Sequence, residues 1–319
     1  MCYSIVIPVY NSGKWIKELI MKIVEIMEKY INESYEIVLV NDASPDSFTW
    51  DKLKDVCKSF DNITIINLQY NAGQLNALLC GFRHASGDYV ITMDDDFQHD
   101  PEEIPKLINK IIETNCDCVI GQYVEKKHNF IRRVGSKLSN KLSEKIYNKP
   151  NSITSNSFRI INRKTIKALL SYKSCQPQLG PMIFSVTRSI ETVIIEHKDR
   201  PYGNSGYKMS KLISETLNVV INASTFPLDV VSIGGFIVAG GSFLVGIIYF
   251  ILYITVGTSV PGFTAQILVT TCLSGIIILS IGIVGKYIGR IVKEIIGFPA
   301  YLERDIITSL EMQDKEKSK

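Results

Sequence analysis

With 319 residues the chain exceeds one small domain and suits one large domain with an appendage. Its 46% hydrophobic and 21% charged residues are enough to bury a core, which excludes disordered and fibrous classes. The net charge of +3 hides a polarity: residues 1–124 carry 10 Lys/Arg against 19 Asp/Glu, whereas residues 125–211 carry 18 against 5. Seven scattered cysteines without a C-x₂-C pair argue against a disulfide framework or a zinc site and suit a reducing compartment. Each reads as a small buried hydrophobe.

The segment Ser4-Ile5-Val6-Ile7-Pro8 reads as a strand; with no basic stretch before it, it is not a signal peptide. From there short β-rich runs alternate with longer helical patterns. Strands are predicted at 3–9, 35–41, 62–68, 88–93 and 117–121, and helices at 13–30, 48–59, 74–85 and 102–114. That alternation predicts βαβ units and a mostly parallel α/β sheet. Ligands bind beyond the carboxyl ends of such strands. The residues to inspect are therefore Pro8-Val9-Tyr10-Asn11, Asn41-Asp42, Asn71-Ala72-Gly73-Gln74 and Asp94-Asp95-Asp96 with Gln98. No Gly-x-Gly-x-x-Gly follows the first strand and no P-loop is present, which argues against a dinucleotide or P-loop phosphate cradle.

The acidic triplet stands where the apolar run Tyr89–Met93 ends. In extended backbone Asp94 and Asp96 point one way and Asp95 the other. Two adjacent carboxylates repel unless a cation lies between them, and all-oxygen sites with few protein ligands suit Mg²⁺ or Mn²⁺. Such a metal keeps positions open for substrate phosphates. The bland alternative is an acidic stretch before Pro101-Glu102-Glu103 that favours a helix dipole. His99 reads as a bystander, and His84, His128 and His197 lack metal-ligand spacing.

Further on, Leu212, Ile213, Leu217, Val220 and Ile221 recur at helical spacing beside lysines, and 208–229 reads as an amphipathic helix at a membrane interface, the alternative being an amphipathic helix packed on the soluble domain. Val230 to Gly285 is 56 residues without Asp, Glu, Lys, Arg or His. Val230–Thr255 and Ala265–Gly285 are each long enough for a helix across the hydrocarbon core, which takes about 20 residues. A turn at 257–262 makes them a hairpin. Lys208, Lys211, Lys286, Arg290 and Lys293 flank it, which places both ends in the cytoplasm. Small-residue stripes at Gly234-Gly235, Gly240-Gly241 and Gly282/Gly285/Gly289 suit close helix packing, within the hairpin or between copies. The organisation expected is a cytosolic domain at 1–207, the interfacial helix, two spans at 230–285 and a cytosolic tail at 286–319, disordered toward its end from 304.

Three segments carry a family resemblance. Ser4-Ile5-Val6-Ile7-Pro8-Val9-Tyr10-Asn11, Val40-Asn41-Asp42-Ala43-Ser44-Pro45-Asp46 and Gly87–His99 resemble GT-A glycosyltransferase family 2. Arg200–Lys208 and Gly285–Ile291 resemble its polyprenyl-phosphate branch, which includes dolichol-phosphate mannose synthases, bactoprenol glucosyltransferases and undecaprenyl-phosphate formamido-arabinose transferases. The resemblance implies a GT-A Rossmann-like sheet and metal-dependent transfer of a sugar from a nucleotide-diphosphate sugar to a polyprenyl phosphate. Catalysis would involve Asp94, Asp96, Arg159 and Arg200. Pro8, Tyr10, Asn11, Asp42, Asn71, Gly73, Gln74, Asp94 and Asp95 would bind the nucleotide sugar. Asp94, Asp96 and Gln98 would hold Mg²⁺ or Mn²⁺. Arg132, Arg133, Arg159, Arg200, Ser205 and Lys208 would face the acceptor phosphate. The sequence departs from the family pattern at Asn41, which replaces the first acid of V-D-D, at Ser12, where many relatives carry Glu, at Ser155–Arg159, which replaces the commoner G-D-F-R, and at Lys286, which replaces a Glu.

The basic middle segment fits two anions that must meet. A phosphate monoester, with a second pKa of about 6, is already an anionic nucleophile at neutral pH. Orientation and charge cancellation then matter more than a strong base, and guanidinium groups grip phosphate in two-pronged fashion. In-line attack would invert the anomeric carbon. The same basic segment also suits anionic lipid headgroups. The reading places the chain in a bacterial inner membrane, as a homo-oligomer and without a nucleic-acid partner. The alternatives are transfer to another lipid or glycan acceptor and a non-catalytic nucleotide-sugar-binding scaffold. A processive polysaccharide synthase is disfavoured because no Q-x-x-R-W segment is present.

Overall fold

The computed structural model describes residues 1–31, 33–123, 156–172, 179–196, 226–256, 262–296 and 299–317. Arg132, Arg133, Arg200, Ser205, Lys208 and residues 208–225 of the helix expected at 208–229 lie outside the described residues; its last four residues open the helix Phe226–Val256. The chain divides into two compact units, one of Met1–Gly206 with Pro299–Lys319 and the other Tyr207–Phe298.

The first unit is built on a sheet whose middle is four parallel strands, β1 (Cys2–Val9), β2 (Ser34–Asn41), β3 (Ile63–Leu68) and β4 (Tyr89–Thr92), in the order β3-β2-β1-β4. Their connections are α1 (Ile16–Tyr30), α2 (Ser47–Ser59) and α3 (Gln74–His84). After β4 come a 3₁₀ turn at Pro101–Glu103, α4 (Ile104–Thr114) and β5 (Cys118–Tyr123). These elements match the periodicity to within three residues at each end.

Four features were not expected. Strand β6 (Arg159–Asn162) runs antiparallel between β4 and β5, and β7 (Ile190–Ile195) pairs parallel with β5. Two short helices, α5 (Arg163–Leu170) and α6 (Leu179–Val186), lie between β6 and β7. At the far edge β8 (Glu303–Thr308) lies antiparallel on β3, followed by α9 (Ser309–Lys317). The sheet is therefore mixed beyond its parallel middle, and the stretch from 304, expected to be disordered toward its end, is through Lys317 part of an edge strand and a helix of the first unit. The edge position explains this: β3 presents unpaired backbone groups that a six-residue run with Ile306 and Ile307 can satisfy.

Period-two alternation sends successive residues to opposite faces, and both faces are covered. On one, Tyr3, Ile5, Ile7, Ile37 and Leu39 pack with Leu19, Ile23 and Leu53. On the other, Val6, Val38 and Val40 pack with Ala77, Cys80 and Phe82 of α3. Helix α3 comes close because Gly81 faces Val6; a Cβ there would lie 2.3 Å from Val6 Cγ1. Asp46 caps α2 by accepting from Thr49 N–H at 3.1 Å, a device that typically stabilises a helix by about 1 kcal/mol.

The second unit contains α7 (Phe226–Val256, 31 residues) and α8 (Phe263–Ile296, 34 residues). Many of their apolar side chains are exposed, among them Phe236, Phe243, Ile278 and Ile281. Several other side chains on both helices lie outside the described residues, and among the described residues no helix is long and apolar enough to cross a membrane. The glycines of the small-residue stripes meet nothing within 4 Å of an added Cβ, so among the described residues they do not serve close packing inside the pair.

Candidate active site

The strand order reverses between β1 and β4: from β1 the chain builds outward through β2 and β3, then returns to lay β4 on the other side. A crevice opens at the carboxyl ends of strands at such a point. Here it is a cleft of about 430 Å³ lined by Pro8, Val9, Tyr10, Trp15, Asp42, Asn71, Gly73, Gln74, Asp94, Asp95 and Asp96. All four parallel strands thus contribute their following loops. Each loop also holds a residue at positive φ: Asn11 (58°), Ala43 (48°), Gly73 (88°) and Phe97 (60°). Non-glycine residues persist in that region only where surrounding bonds over-determine them, and the rim is cross-bonded in that way.

Asp42, 4% exposed, accepts from Ala72 N–H at 2.7 Å and Gly73 N–H at 2.9 Å, one on each oxygen. Burial raises its pKa, against the two N–H groups that favour the carboxylate. Asn71 Nδ2 donates to the Asp42 carbonyl at 3.2 Å. Asp42 therefore fixes the loop after β3 as well as walling the cleft. Asn41, in place of an acid, points elsewhere: it donates to Asn67 Oδ1 at 2.8 Å and accepts from the Ser44 hydroxyl at 2.6 Å. Asn67 in turn donates to Asp305 at 3.2 Å. The substitution at Asn41 is a structural crosslink toward β8.

The acidic triplet divides its labour. Asp95 accepts from Tyr10 N–H at 3.0 Å and from the Ser12 hydroxyl, while its carbonyl accepts from Trp15 Nε1 at 2.7 Å. Burial pushes its pKa up to about 6, opposed by Ser12 and Tyr10 and reinforced by the charges of Asp94 and Asp96. It ties the loop after β1 to the loop after β4. Asp94 accepts from Gln74 Nε2 at 2.6 Å and from the Ser157 hydroxyl at 2.7 Å. Its backbone N–H donates to His99 Nδ1 at 3.0 Å. Asp96 Oδ1 accepts from Gln98 N–H at 3.1 Å.

His99 is not among the residues lining the cleft, yet it braces the triplet from behind. It is 2% exposed and stacks on Phe158 at 5.0 Å and Tyr123 at 6.4 Å between ring centroids. Burial lowers its pKa against the opposing pull of Asp94 and Asp96. With Nδ1 accepting from Asp94, the neutral ring carries its proton on Nε2, which faces Ser157 Oγ at 3.4 Å.

Two carboxylates on the cleft wall, held by neutral donors, leave lone pairs for a hard divalent cation that takes its other ligands from phosphate and water. The donor set thus fits Mg²⁺ or Mn²⁺. Gln98 contributes its backbone to Asp96, and its side chain is not among those lining the cleft. Asn11 is exposed, with its N–H on Ser44 Oγ, and also stands outside the lining. Arg159, expected on an anion, is 5% exposed within β6, and its Nε and Nη1 have no hydrogen-bond partner among the described residues. Sequence reasoning missed Trp15, Ser12 and Ser157. Ser12 and Ser157 each carried a signal, since they stand where the family pattern commonly has Glu and Asp; Trp15 carried none.

Residues 4–170 match the sequence profile of Glycosyl transferase family 2. Among solved structures the chain is similar to glucosyl-3-phosphoglycerate synthase from Mycobacterium tuberculosis in complex with Mn²⁺ and uridine-diphosphate-glucose. That match has 17% identity and a TM-score of 0.51, over 69% of this chain and 77% of that one. The same enzyme with Mn²⁺, uridine-diphosphate and phosphoglyceric acid matches at 18% identity and a TM-score of 0.50, over 69% and 76%. At these identities the likeness shows a shared fold.

Proposed function

Because the chain belongs to glycosyl transferase family 2, we propose that its cleft binds a nucleotide-diphosphate sugar with a divalent metal and transfers the sugar to a polyprenyl phosphate at a membrane surface. The observation that carries the donor half is the placement of Asp94 and Asp96 on the wall of the cleft at the β1/β4 reversal. Pro8, Tyr10, Asp42 and Asn71 line the part of the wall expected to hold the nucleoside, and Gln74 and Ser157 hold the Asp94 carboxylate in place. The metal would supply charge neutralisation for the departing diphosphate. The solved Mycobacterium structures hold Mn²⁺ and a uridine nucleotide on the same fold, which supports this reading.

The acceptor half rests on the sequence. Val230–Thr255 and Ala265–Gly285 are runs without a charged side chain, each at least as long as the stretch of about 20 residues that crosses the hydrocarbon core. The uncharged run from Val230 to Gly285 covers most of both helices' sequence and the residues between them. We read them as a membrane hairpin with both ends on the cytoplasmic side, and Arg132, Arg133, Arg200, Ser205 and Lys208 as the groups that meet the lipid phosphate. An ionised phosphate oxygen needs no strong base to attack the anomeric carbon, which agrees with a cleft whose buried imidazole is spent on positioning Asp94.

The test is transfer by the full chain in detergent, with a short-chain polyprenyl phosphate and a panel of nucleotide sugars, with and without Mg²⁺ or Mn²⁺. The expected product is a polyprenyl-phosphate sugar that is lost on metal removal and in Asp96→Asn. Transfer only to a phosphorylated small molecule, a lipid hydroxyl or a glycan would keep the donor half and overturn the acceptor half.

A further inference from the structure

Outside the cleft the fold brings together three side chains that the cysteine and histidine spacing gave no reason to join. Cys80 and His84 are four residues apart on α3 and so share a face. Glu303, at the start of β8, reaches them from 219 residues downstream of His84. Glu303 Oε1 lies 2.9 Å from His84 Nε2 and 3.4 Å from Cys80 Sγ, and the three ligand atoms lie within 4.8 Å of one another. We propose that Cys80, His84 and Glu303 form a second metal site, suited to Zn²⁺, that fastens the C-terminal strand to helix α3.

The dimensions suit the ion. Zinc bonds of about 2.0–2.3 Å in a tetrahedron set ligand atoms roughly 3.3–3.8 Å apart, so shifts of a few tenths of an ångström to about one would close the site. The charges suit burial. A thiolate, a carboxylate and a neutral imidazole around a divalent ion sum to zero, which avoids the cost of an unpaired charge beside the fully buried Cys80. Binding forms the sulfur–metal bond and releases the thiol proton to solvent. A second observation points to a ligand here: the Tyr301 hydroxyl, two residues before Glu303, is buried without a hydrogen-bond partner among the described residues. Water in the fourth metal position is a partner of the kind it lacks. Sulfur and nitrogen donors select against Mg²⁺ and Mn²⁺, so this site and the all-oxygen pair of Asp94 and Asp96 would take different ions.

The location gives the site a consequence. Just upstream of Glu303, the Leu302 carbonyl accepts from Gln69 N–H at 2.8 Å and the Pro299 carbonyl from the Tyr70 hydroxyl at 3.0 Å. Those residues lead directly into the cleft loop Asn71–Gln74. A metal at Glu303 would therefore anchor the strand that braces the donor side of the cleft.

The experiment uses the full chain in detergent, stripped of metal and held in saturating Mg²⁺. Co²⁺ is titrated while the thiolate-to-cobalt charge-transfer absorption is followed, and thermal unfolding is recorded with and without Zn²⁺. One equivalent of Co²⁺ giving the band, displaced by Zn²⁺ and accompanied by a higher Tm, is the expected result. Cys80→Ser should abolish the band, and His84→Gln and Glu303→Gln should each weaken Co²⁺ binding roughly tenfold or more, while Asp96→Asn leaves it intact. No band at saturating Co²⁺ overturns the proposal. So does a band that survives Cys80→Ser or is unchanged in both His84→Gln and Glu303→Gln.

Discussion

His99 Nδ1 accepts the Asp94 backbone N–H at 3.0 Å, and this bond fixes where the first carboxylate of the pair stands. Groups that orient metal ligands typically contribute 10–100-fold to metal affinity or activity. His99→Ala is therefore expected to raise the Mg²⁺ or Mn²⁺ concentration for half-maximal transfer by about 10–100-fold. His99→Asn, whose side-chain oxygen can take the place of Nδ1, should recover part of the loss; equal metal titrations for both variants and the parent would refute the positioning role. Gly73 offers a separate test. An added Cβ meets nothing within 4 Å, yet φ is 88°, so Gly73→Ala suffers backbone strain alone, on the order of 1–3 kcal/mol. Since Gly73 N–H holds Asp42, activity should fall further than the urea midpoint suggests. The acids themselves were legible in the sequence because they follow an apolar strand. Their partners were not: Ser157 reaches Asp94 across 63 residues and Ser12 reaches Asp95 across 83, and no local pattern encodes such pairings.

At the scale of elements, the four parallel strands were readable because burial on both faces leaves apolar runs bounded by turns. Strand β8 was not, because Glu303, Arg304 and Asp305 are exposed and their polarity reads as a tail. Its strand character comes from pairing with β3. Truncation after Leu302 should consequently bare the β3 edge and yield a protein that aggregates or unfolds at lower temperature, as size-exclusion chromatography and a thermal melt would show. Helix α3 makes the opposite point about close packing. Alanine exceeds glycine in helix propensity by about 1 kcal/mol, but a Cβ at Gly81 would stand 2.3 Å from Val6 Cγ1, and overpacking costs about 1–3 kcal/mol. Gly81→Ala should thus lower stability by up to about 2 kcal/mol in urea unfolding. Val6→Ala in the same chain should cost less than it does alone, and a simple sum of the two effects would show that the contact is relieved elsewhere.

Across the whole molecule, charge is sorted along the chain: a net −9 in residues 1–124, a net +13 in 125–211, then none from Val230 to Gly285. On the membrane reading proposed above, two forces would draw it to a bilayer, and they respond differently to solvent. Attraction of the basic segment to anionic headgroups is screened within about 8 Å at physiological salt and disappears at high ionic strength or when charges are neutralised. Insertion of the uncharged run Val230–Gly285 would be held by apolar transfer, at about 25 cal/mol per Å², and be indifferent to salt. Membranes from cells expressing the full chain should therefore retain it through washes in high salt and in alkaline carbonate, and release it only to detergent. Release by salt would leave the basic segment as the anchor and remove the hairpin. Release by carbonate but not by salt would mean that the helices lie against protein or in the interface rather than across the bilayer, and the acceptor would then have to be sought among water-soluble phosphates.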